Sequence, residues 1–452
     1  MSVGRDASVL ITRACPPRRR TVVYDSATEL AVAEFIGPGD TVAWGQATAE
    51  PRSLTEALVG QRATISGARC FLGMPAATAI TADCADHLRF ASYTGAGVNA
   101  TLHAAGALDV LPCHYSELLR ALSTGPARVD VALLLLPEPF GDGTYSLGLA
   151  AEYLPAIIRQ ARCVIAEVSP HVPQTSGTPR LRHRDLDALV RSDRPPADHA
   201  SLPSGAVETA IARQVSELVD DGATVQMGAG RLPDAVLAGL AGHRRLGVHS
   251  GLITDTVADL MEADVVSNQD KTADRGVTVA GLLMGTARLR QYAHRHDRIH
   301  LRATEYTHHP GVLAGQNRFT AINAALEVDL FGQINAESIA GRYRGAVGGA
   351  LDFLRAAHAS AGGLPITVLP STAGPASRVV ARLSGPATVP RADAGIVVTE
   401  YGWADLRRQT LRQRAEALLP LAHPDHRATL AAQADAMLRS PRASTEQSME
   451  HL

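Results

Sequence analysis

The chain has 452 residues, 46% apolar and 19% charged side chains and a formal net charge of −2, the makeup of a globular protein large enough for two domains. That balance excludes a global field for nucleic acid or an anionic membrane surface. No apolar run reaches the length of a membrane span or a signal-peptide core, and five scattered cysteines without a CxxC indicate neither a disulfide framework nor a zinc site. A reduced, cytoplasmic protein is expected.

From the N-terminus, Thr21–Gly37 reads as a helical lead-in, with Ala31, Val32 and Phe35 at helical spacing and Pro38-Gly39 as the stop. Thr41–Trp44 reads as a strand, and Ala49-Glu50-Pro51 opens a helix through Val59. Ile65–Leu72 is a second strand. Val129–Leu136 is almost uninterrupted apolar, as expected of a parallel strand covered on both faces. A helix over Leu149–Ala161 and a strand over Cys163–Val168 follow. Strand, turn and helix alternate throughout, which argues for an α/β chain.

The polar, proline-rich stretch Arg191–Ser204 reads as a linker, after which the pattern restarts. Residues 1–204 and 205–437 are therefore expected to be two α/β domains, and 438–452 a polar tail. In the second half, a helix is expected over Ala206–Asp220, a strand over Ala223–Met227 and a helix over Pro233–Leu240. Leu246–Val248 reads as a short strand. His249-Ser250-Gly251 is a tight turn after it, and Asp255–Glu262 is a helix capped by Thr254 or Asp255. Ala394–Thr399 reads as a buried strand and Leu406–Ala422 as a helix stopped at His423-Pro424.

Several residue groups have the chemistry for a site. Gly228-Ala229-Gly230 follows a strand and precedes a helix, but a dinucleotide fingerprint would need a third glycine where Pro233 stands, so a tight turn is the plainer reading. His249 is a candidate general base, with a structural role as the alternative. Glu50, Glu262 and Glu400 lie near element edges, where most carboxylates are caps or solvated charges. Gly345-Ala346-Val347-Gly348-Gly349 is a glycine-rich turn before a helix, and could also let a ligand approach the backbone closely. His308-His309 and the histidines of 294–300 lack acidic partners at ligand spacing, so no metal is assigned.

Taken in order, Ala49-Glu50-Pro51, VDVALLLLPEP (129–139), IAEV (165–168), MGAGRLPDAVLAGL (227–240), LGVHSGLITDTVADLMEADVV (246–266), LLMGT (282–286), AINAALEVDLFGQINAESI (321–339), AVGGALDF (346–353), VVTEYGWADL (397–406) and RAEALLPLAHPDHR (414–427) resemble the acetyl-CoA hydrolase/transferase family, which includes 4-hydroxybutyrate and butyrate:acetate CoA-transferases. The resemblance implies two open α/β domains of the CoA-transferase (NagB/RpiA-like) type with the active site in the cleft between them. It also implies coenzyme A, as acyl-CoA, for a substrate, and a homodimer. Members move CoA between carboxylic acids through an acyl-glutamyl anhydride and a glutamyl-CoA thioester, the use of a carboxylate as nucleophile. By resemblance Gly228, Gly230, Val347, Gly348 and Gly349 line the CoA side. Lys271, the only lysine, stands where members often have one and is expected to contact a phosphate or carboxylate.

The family's glutamate follows His-Ser or His-Thr in the strand-to-helix turn, and here that position is Gly251. Ala346, Ala350 and Trp403 are further departures, expected to reshape the cleft. Three readings follow. The first is thioester hydrolysis or acyl transfer by direct attack on the acyl-CoA, with His249 as base and Glu50 or Glu262 as alternatives. The second is a CoA-transferase using another carboxylate such as Glu50. The third is a non-catalytic acyl-CoA binder.

Overall fold

In a computed structural model the described residues are 10–14, 20–76 and 79–439, so Cys15 and positions 440–452 of the expected tail lie outside them. The longest apolar stretches occupy the middles of two sheets. β1 (Val22–Tyr24), β2 (Thr41–Trp44), β3 (Arg69–Leu72), β4 (Arg89–Ser92), β5 (Leu108–Val110), β6 (Val131–Leu136), β7 (Cys163–Val168) and β8 (Ala188–Arg191) form an eight-stranded, wholly parallel sheet in the order β1-β8-β7-β6-β2-β3-β4-β5. Every residue of β6 and of β7 is buried, as strands covered on both faces must be.

The second half builds a six-stranded sheet from β9 (Thr224–Met227), β10 (Gly247–Val248), β11 (Phe319–Ala324), β12 (Leu364–Val368), β13 (Ile396–Thr399) and β14 (Gly402–Asp405), in the order β10-β9-β11-β12-β13-β14. Only the β13–β14 pair is antiparallel. Residues 192–205 between the halves carry no helix or strand. Trp403 lies on the edge strand β14 and is exposed, well outside the cleft that it was expected to reshape.

Three local expectations are corrected. Thr21–Gly37 is not a helix: Val22–Tyr24 pairs with Ala188–Val190 at the sheet edge, and two short 3₁₀ turns follow. Two β-branched residues and a tyrosine favour that pleated edge. The helix expected over Leu149–Ala161 begins only at Leu154, because residues 149–153 bridge to the other half. The helix expected over Leu406–Ala422 starts at Leu411, and a further helix, Pro424–Leu438, follows His423.

The halves are joined by backbone pairing as well as by core. Isolated bridges link Thr94 to Ala346, His114 to Gly348, Ala150 to Leu282, Glu152 to Ala303 and Ser176 to His300. One hydrophobic cluster runs from Ala43 and Leu134 in the first sheet to Val225 and Ile322 in the second. Both sheets thereby turn the carboxyl ends of their strands toward a common cleft, where open α/β sheets hold ligands.

Lys271 holds one wall of that cleft rigid. Its side chain is buried, and Nζ donates to the carbonyls of Val248 (2.9 Å) and Val277 (2.7 Å). Burial brings its pKa down to about 7, and two of its N–H groups are taken by the two carbonyls. A Cβ at Gly247 would lie 2.5 Å from Lys271 Cγ, so the strand packs directly on the lysine stem. Lys271 is thus placed beneath β10, not among the cavity-lining residues where a phosphate contact was expected. In Lys271→Met both carbonyls lose their donor in the interior, at about 1–3 kcal/mol each. Urea denaturation should show a loss of about 2–6 kcal/mol with CoA affinity within twofold of wild type; unchanged stability with weakened CoA binding would return the lysine to the ligand.

Candidate active site

The cleft encloses a cavity of about 260 Å³ lined from both halves. Gln46, Met74 and Thr94 reach it from the loops after β2, β3 and β4. Gly228, Ala229, Gly251 and Leu252 come from the turns after β9 and β10, and Val347, Gly348, Gly349 and Ala350 close the far side. A second compartment of about 420 Å³ adjoins it, sharing Met74, Ala96 and Ala229, and there Gly230 forms part of the wall. Among the described residues, Glu152 is the one carboxylate lining the first cavity.

The turn after β10 presents backbone and no side chain. Ser250 is buried, with Oγ donating to the Met227 carbonyl at 3.2 Å. The Gly251 carbonyl accepts from Gly281 N–H at 3.1 Å. A Cβ built on Gly251 would come within 3.3 Å of His308 Cε1 and 3.8 Å of Phe353 Cζ. The direction a side chain would take from position 251 is therefore into the space beside His308.

His308 is held there by ring contacts with Tyr115 (5.0 Å between centroids) and Phe353 (4.4 Å), and by a hydrogen bond between Nδ1 and Thr307 Oγ1 at 2.9 Å. Burial lowers its pKa to about 3, so the imidazole is neutral. His249 is also buried and neutral, its pKa lowered to about 3 by burial and then by the neighbouring charge of Lys271. Its ring packs on Tyr306 at 5.8 Å and does not line the cavity. An imidazole of such low basicity, and outside the cavity, is poorly suited to be the expected base.

The carboxylates named from the sequence are also engaged elsewhere. Glu50 is buried outside the cavity, with Oε2 accepting from Ala76 N–H (2.6 Å) and Oε1 from Thr55 Oγ1 (3.1 Å), so it fastens the helix Arg52–Gly60 to the loop after β3. Glu262 pairs with Arg288 on the surface at 2.8 Å, and Glu400 accepts from Ser371 Oγ at 2.6 Å.

Glu152 was hidden inside a helix expected from the sequence. Its φ is +41°, and the strained residue is pinned by its carbonyl accepting from Thr304 N–H at 3.0 Å. Oε1 accepts from Gln46 Nε2 (2.7 Å) and Tyr115 Oη (2.8 Å); Oε2 is buried and has no hydrogen-bond partner among the described residues. The Gln46 carbonyl in turn accepts from Tyr93 Oη (2.8 Å) and Met74 N–H (3.1 Å). Burial raises the Glu152 carboxyl to about 7, against the two hydrogen bonds, which lower it.

The glycine-rich segment does its work by close approach. Thr94 Oγ1 donates to the Gly345 carbonyl at 3.1 Å and Tyr115 N–H to the Gly348 carbonyl at 2.9 Å. Gly345 sits so tightly on the Ala336 carbonyl that a Cβ there would overlap it. Gly349 is the N-cap of the helix Ala350–Ala359, with no side-chain cap, so first-turn N–H groups of that helix lack intrahelical acceptors at the cavity wall. Gly228, by contrast, gives its N–H to the Ile322 carbonyl at 3.0 Å.

Comparison with known proteins agrees with this architecture. Family profiles described as the acetyl-CoA hydrolase/transferase N-terminal domain and C-terminal domain match residues 19–187 and 285–434. The chain is 37% identical over 329 residues to the 4-hydroxybutyrate coenzyme A transferase of Clostridium kluyveri, covering 72% of this chain and 77% of that one. It is 30% identical to the butyryl-CoA:acetate CoA-transferase of Anaerostipes caccae, covering 87% and 92%. The crystal structure of RipA from Yersinia pestis superposes with a TM-score of 0.87 at 30% identity, covering 92% of this chain and 97% of that one.

The buried titratable groups set the acid behaviour. An unfolded histidine binds its proton near pH 6.5, whereas His249 and His308 do so near 3, so unfolding takes up two protons below 6.5. The stability this represents is present above 6.5 and falls with pH by about 1.4 kcal/mol per unit for each histidine. Glu152, raised from 4.5 to about 7, acts oppositely between those values and offsets one histidine. From these groups, unfolding free energy should decline gently from pH 6.5 to 4.5 and about twice as steeply below. His308→Asn should abolish the first, gentle decline; a variant curve parallel to wild type would refute the assignment.

Proposed function

Because the chain belongs to the acetyl-CoA hydrolase/transferase family, an enzyme family that processes acyl-CoA thioesters, we propose that it does so by direct attack at the cleft cavity, without a covalent CoA-enzyme intermediate at position 251. The observation that carries this is Gly251: it lines the cavity and has no side chain to acylate.

In the proposed reaction the acyl-CoA thioester lies with its carbonyl carbon beside Gly251. The pantetheine arm passes Val347–Gly349, where the absence of bulk lets it near the backbone, and Gly228 and Gly230 flank the junction of the two compartments. An acceptor X–H, water in the simplest case, adds to the carbonyl carbon, and first-turn N–H groups of the helix Ala350–Ala359 face the developing oxyanion. The C–S bond then breaks, the acyl group leaves on the acceptor, and the CoA sulfur regains the proton that X–H gave up. The homodimer and cytoplasmic location implied by the resemblance belong to the same proposal, and light scattering reads the first.

Intact-mass spectrometry with acetyl-, butyryl- and octanoyl-CoA, alongside a thiol assay for free CoA, tests the reading. CoA release without any hydroxylamine-sensitive adduct is expected, and a CoA adduct on the wild-type chain would overturn it. In Gly251→Glu, where the His308 ring must give way by a few tenths of an ångström, an adduct should accumulate at position 251. The cavity of about 260 Å³ should also favour short chains, with kcat/KM falling about tenfold or more from butyryl- to octanoyl-CoA. Equal rates for both would place the acyl chain elsewhere.

A further inference from the structure

We propose that Glu152 is the general base of this enzyme, drawing the proton from the attacking water through its Oε2. The proposal rests on the direct-attack reading above and names the group that the reading leaves open.

The geometry gives the two carboxylate oxygens different jobs. Gln46 has no remaining freedom: its carbonyl accepts from Tyr93 and Met74, which fixes the amide so that its NH₂ faces Tyr115 and Glu152. The Tyr115 hydroxyl accepts from Gln46 at 3.0 Å and therefore gives its own proton to Glu152 Oε1. Both donors meet on Oε1. Oε2 is buried and has no partner among the described residues, although a buried carboxylate oxygen without a donor is costly. It is the one place in the network where a proton can come and go without breaking a hydrogen bond.

Its position suits an attack beside Gly251. A Cβ on Gly281 would touch both Glu152 Cγ (3.2 Å) and the Gly251 carbonyl oxygen (2.7 Å), so Glu152 and Gly251 flank the same small residue. His308 stands on the Cβ side of Gly251 and Glu152 on its carbonyl side, with Tyr115 in contact with both. The strained backbone at φ +41° is what aims the side chain inward; the helical conformation expected for 149–153 would give residue 152 a different direction. The groups facing the carboxylate are Gln46, Tyr115, Tyr93 and Tyr153; burial raises the three phenols and keeps them uncharged, and the nearby imidazoles are neutral, so titration is governed by burial, which brings it to about 7. A base with that affinity is half ionised at neutral pH, the condition under which it both takes and returns a proton effectively.

The step balances as follows. A water O–H bond breaks, its proton passes to Oε2, and the oxygen bonds to the thioester carbonyl carbon. On collapse of the tetrahedral adduct the C–S bond breaks and the proton on Oε2 passes to the CoA sulfur. Free acid and CoASH leave, and Glu152 is ionised again. No oxidant, metal or second substrate is needed.

The test is Glu152→Gln, whose amide oxygen can keep both hydrogen bonds on the Oε1 side. Hydrolysis of butyryl-CoA should rise with pH through a limb centred near 7 in the wild type. In Glu152→Gln, kcat should fall by about 10²–10⁴-fold and that limb should vanish, while thermal midpoint and butyryl-CoA binding stay near wild type. Glu152→Asp should keep the limb at a reduced rate, and serves as the control should the glutamine variant fold poorly. Wild-type turnover without adduct, combined with a Glu152→Gln variant that keeps rate and pH limb, would overturn the base and leave direct attack standing. A borohydride-sensitive CoA adduct on wild-type Glu152 would overturn both, converting the residue from base to nucleophile.

Discussion

The site exists because the two halves are clamped together by main-chain bridges between segments outside the two main sheets. Bridges from Thr94 to Ala346, His114 to Gly348, Ala150 to Leu282 and Glu152 to Ala303 cross from one half to the other around a single cavity. Such pairing tolerates little displacement, since each bond needs its partner within hydrogen-bond distance. It also explains why small residues crowd this seam. Gly345 and Gly349 pack against the Ala336 carbonyl and the His308 ring in places where a Cβ would collide, so glycine here is what lets this segment of the second half lie close enough to form the seam.

Burial around this cavity dictates the electrostatics of its titratable groups. His249 and His308 lose their protons to burial and serve as flat, neutral packing surfaces. The same desolvation acts with opposite effect on Glu152, holding its proton to about neutral pH, and the donors on Oε1 keep it from rising further. One environment thus yields uncharged imidazoles and a carboxyl balanced between its forms. Pushing titratable neighbours apart in this way is how a folded chain assigns acid and base roles.

The relatives with which this chain shares its domains include CoA-transferases and acetyl-CoA hydrolases. Hydrolysis and transfer differ in what reaches the thioester, and a cavity that presents a bare backbone at residue 251 beside a buried carboxyl has room for an external nucleophile. Lys271 shows how far the scaffold goes to hold that turn: a buried amine spans two carbonyls beneath β10, on the strand that leads into it.

Much of the architecture was legible in the sequence. The apolar run of β6, the restart after residue 204 and the boundaries of Asp255–Glu262 are local facts of periodicity and capping, and the structure has them nearly as read. The ordered matches from residue 49 to 427 pointed to the family, and Gly251 stood out as the missing side chain. What sequence alone misplaced were groups whose role depends on distant partners. Glu50, His249 and Lys271 carry the right chemistry but spend it on a helix start, a ring contact and two carbonyls. Glu152 lay unseen in a stretch whose alanines and leucines favour a helix, until pairing with Ala303 and Gly281 drew the backbone into a bridge with positive φ. Local propensity is set by neighbours along the chain. The direction of one carboxylate was set by residues some 130–150 positions away, and only tertiary pairing supplies that constraint.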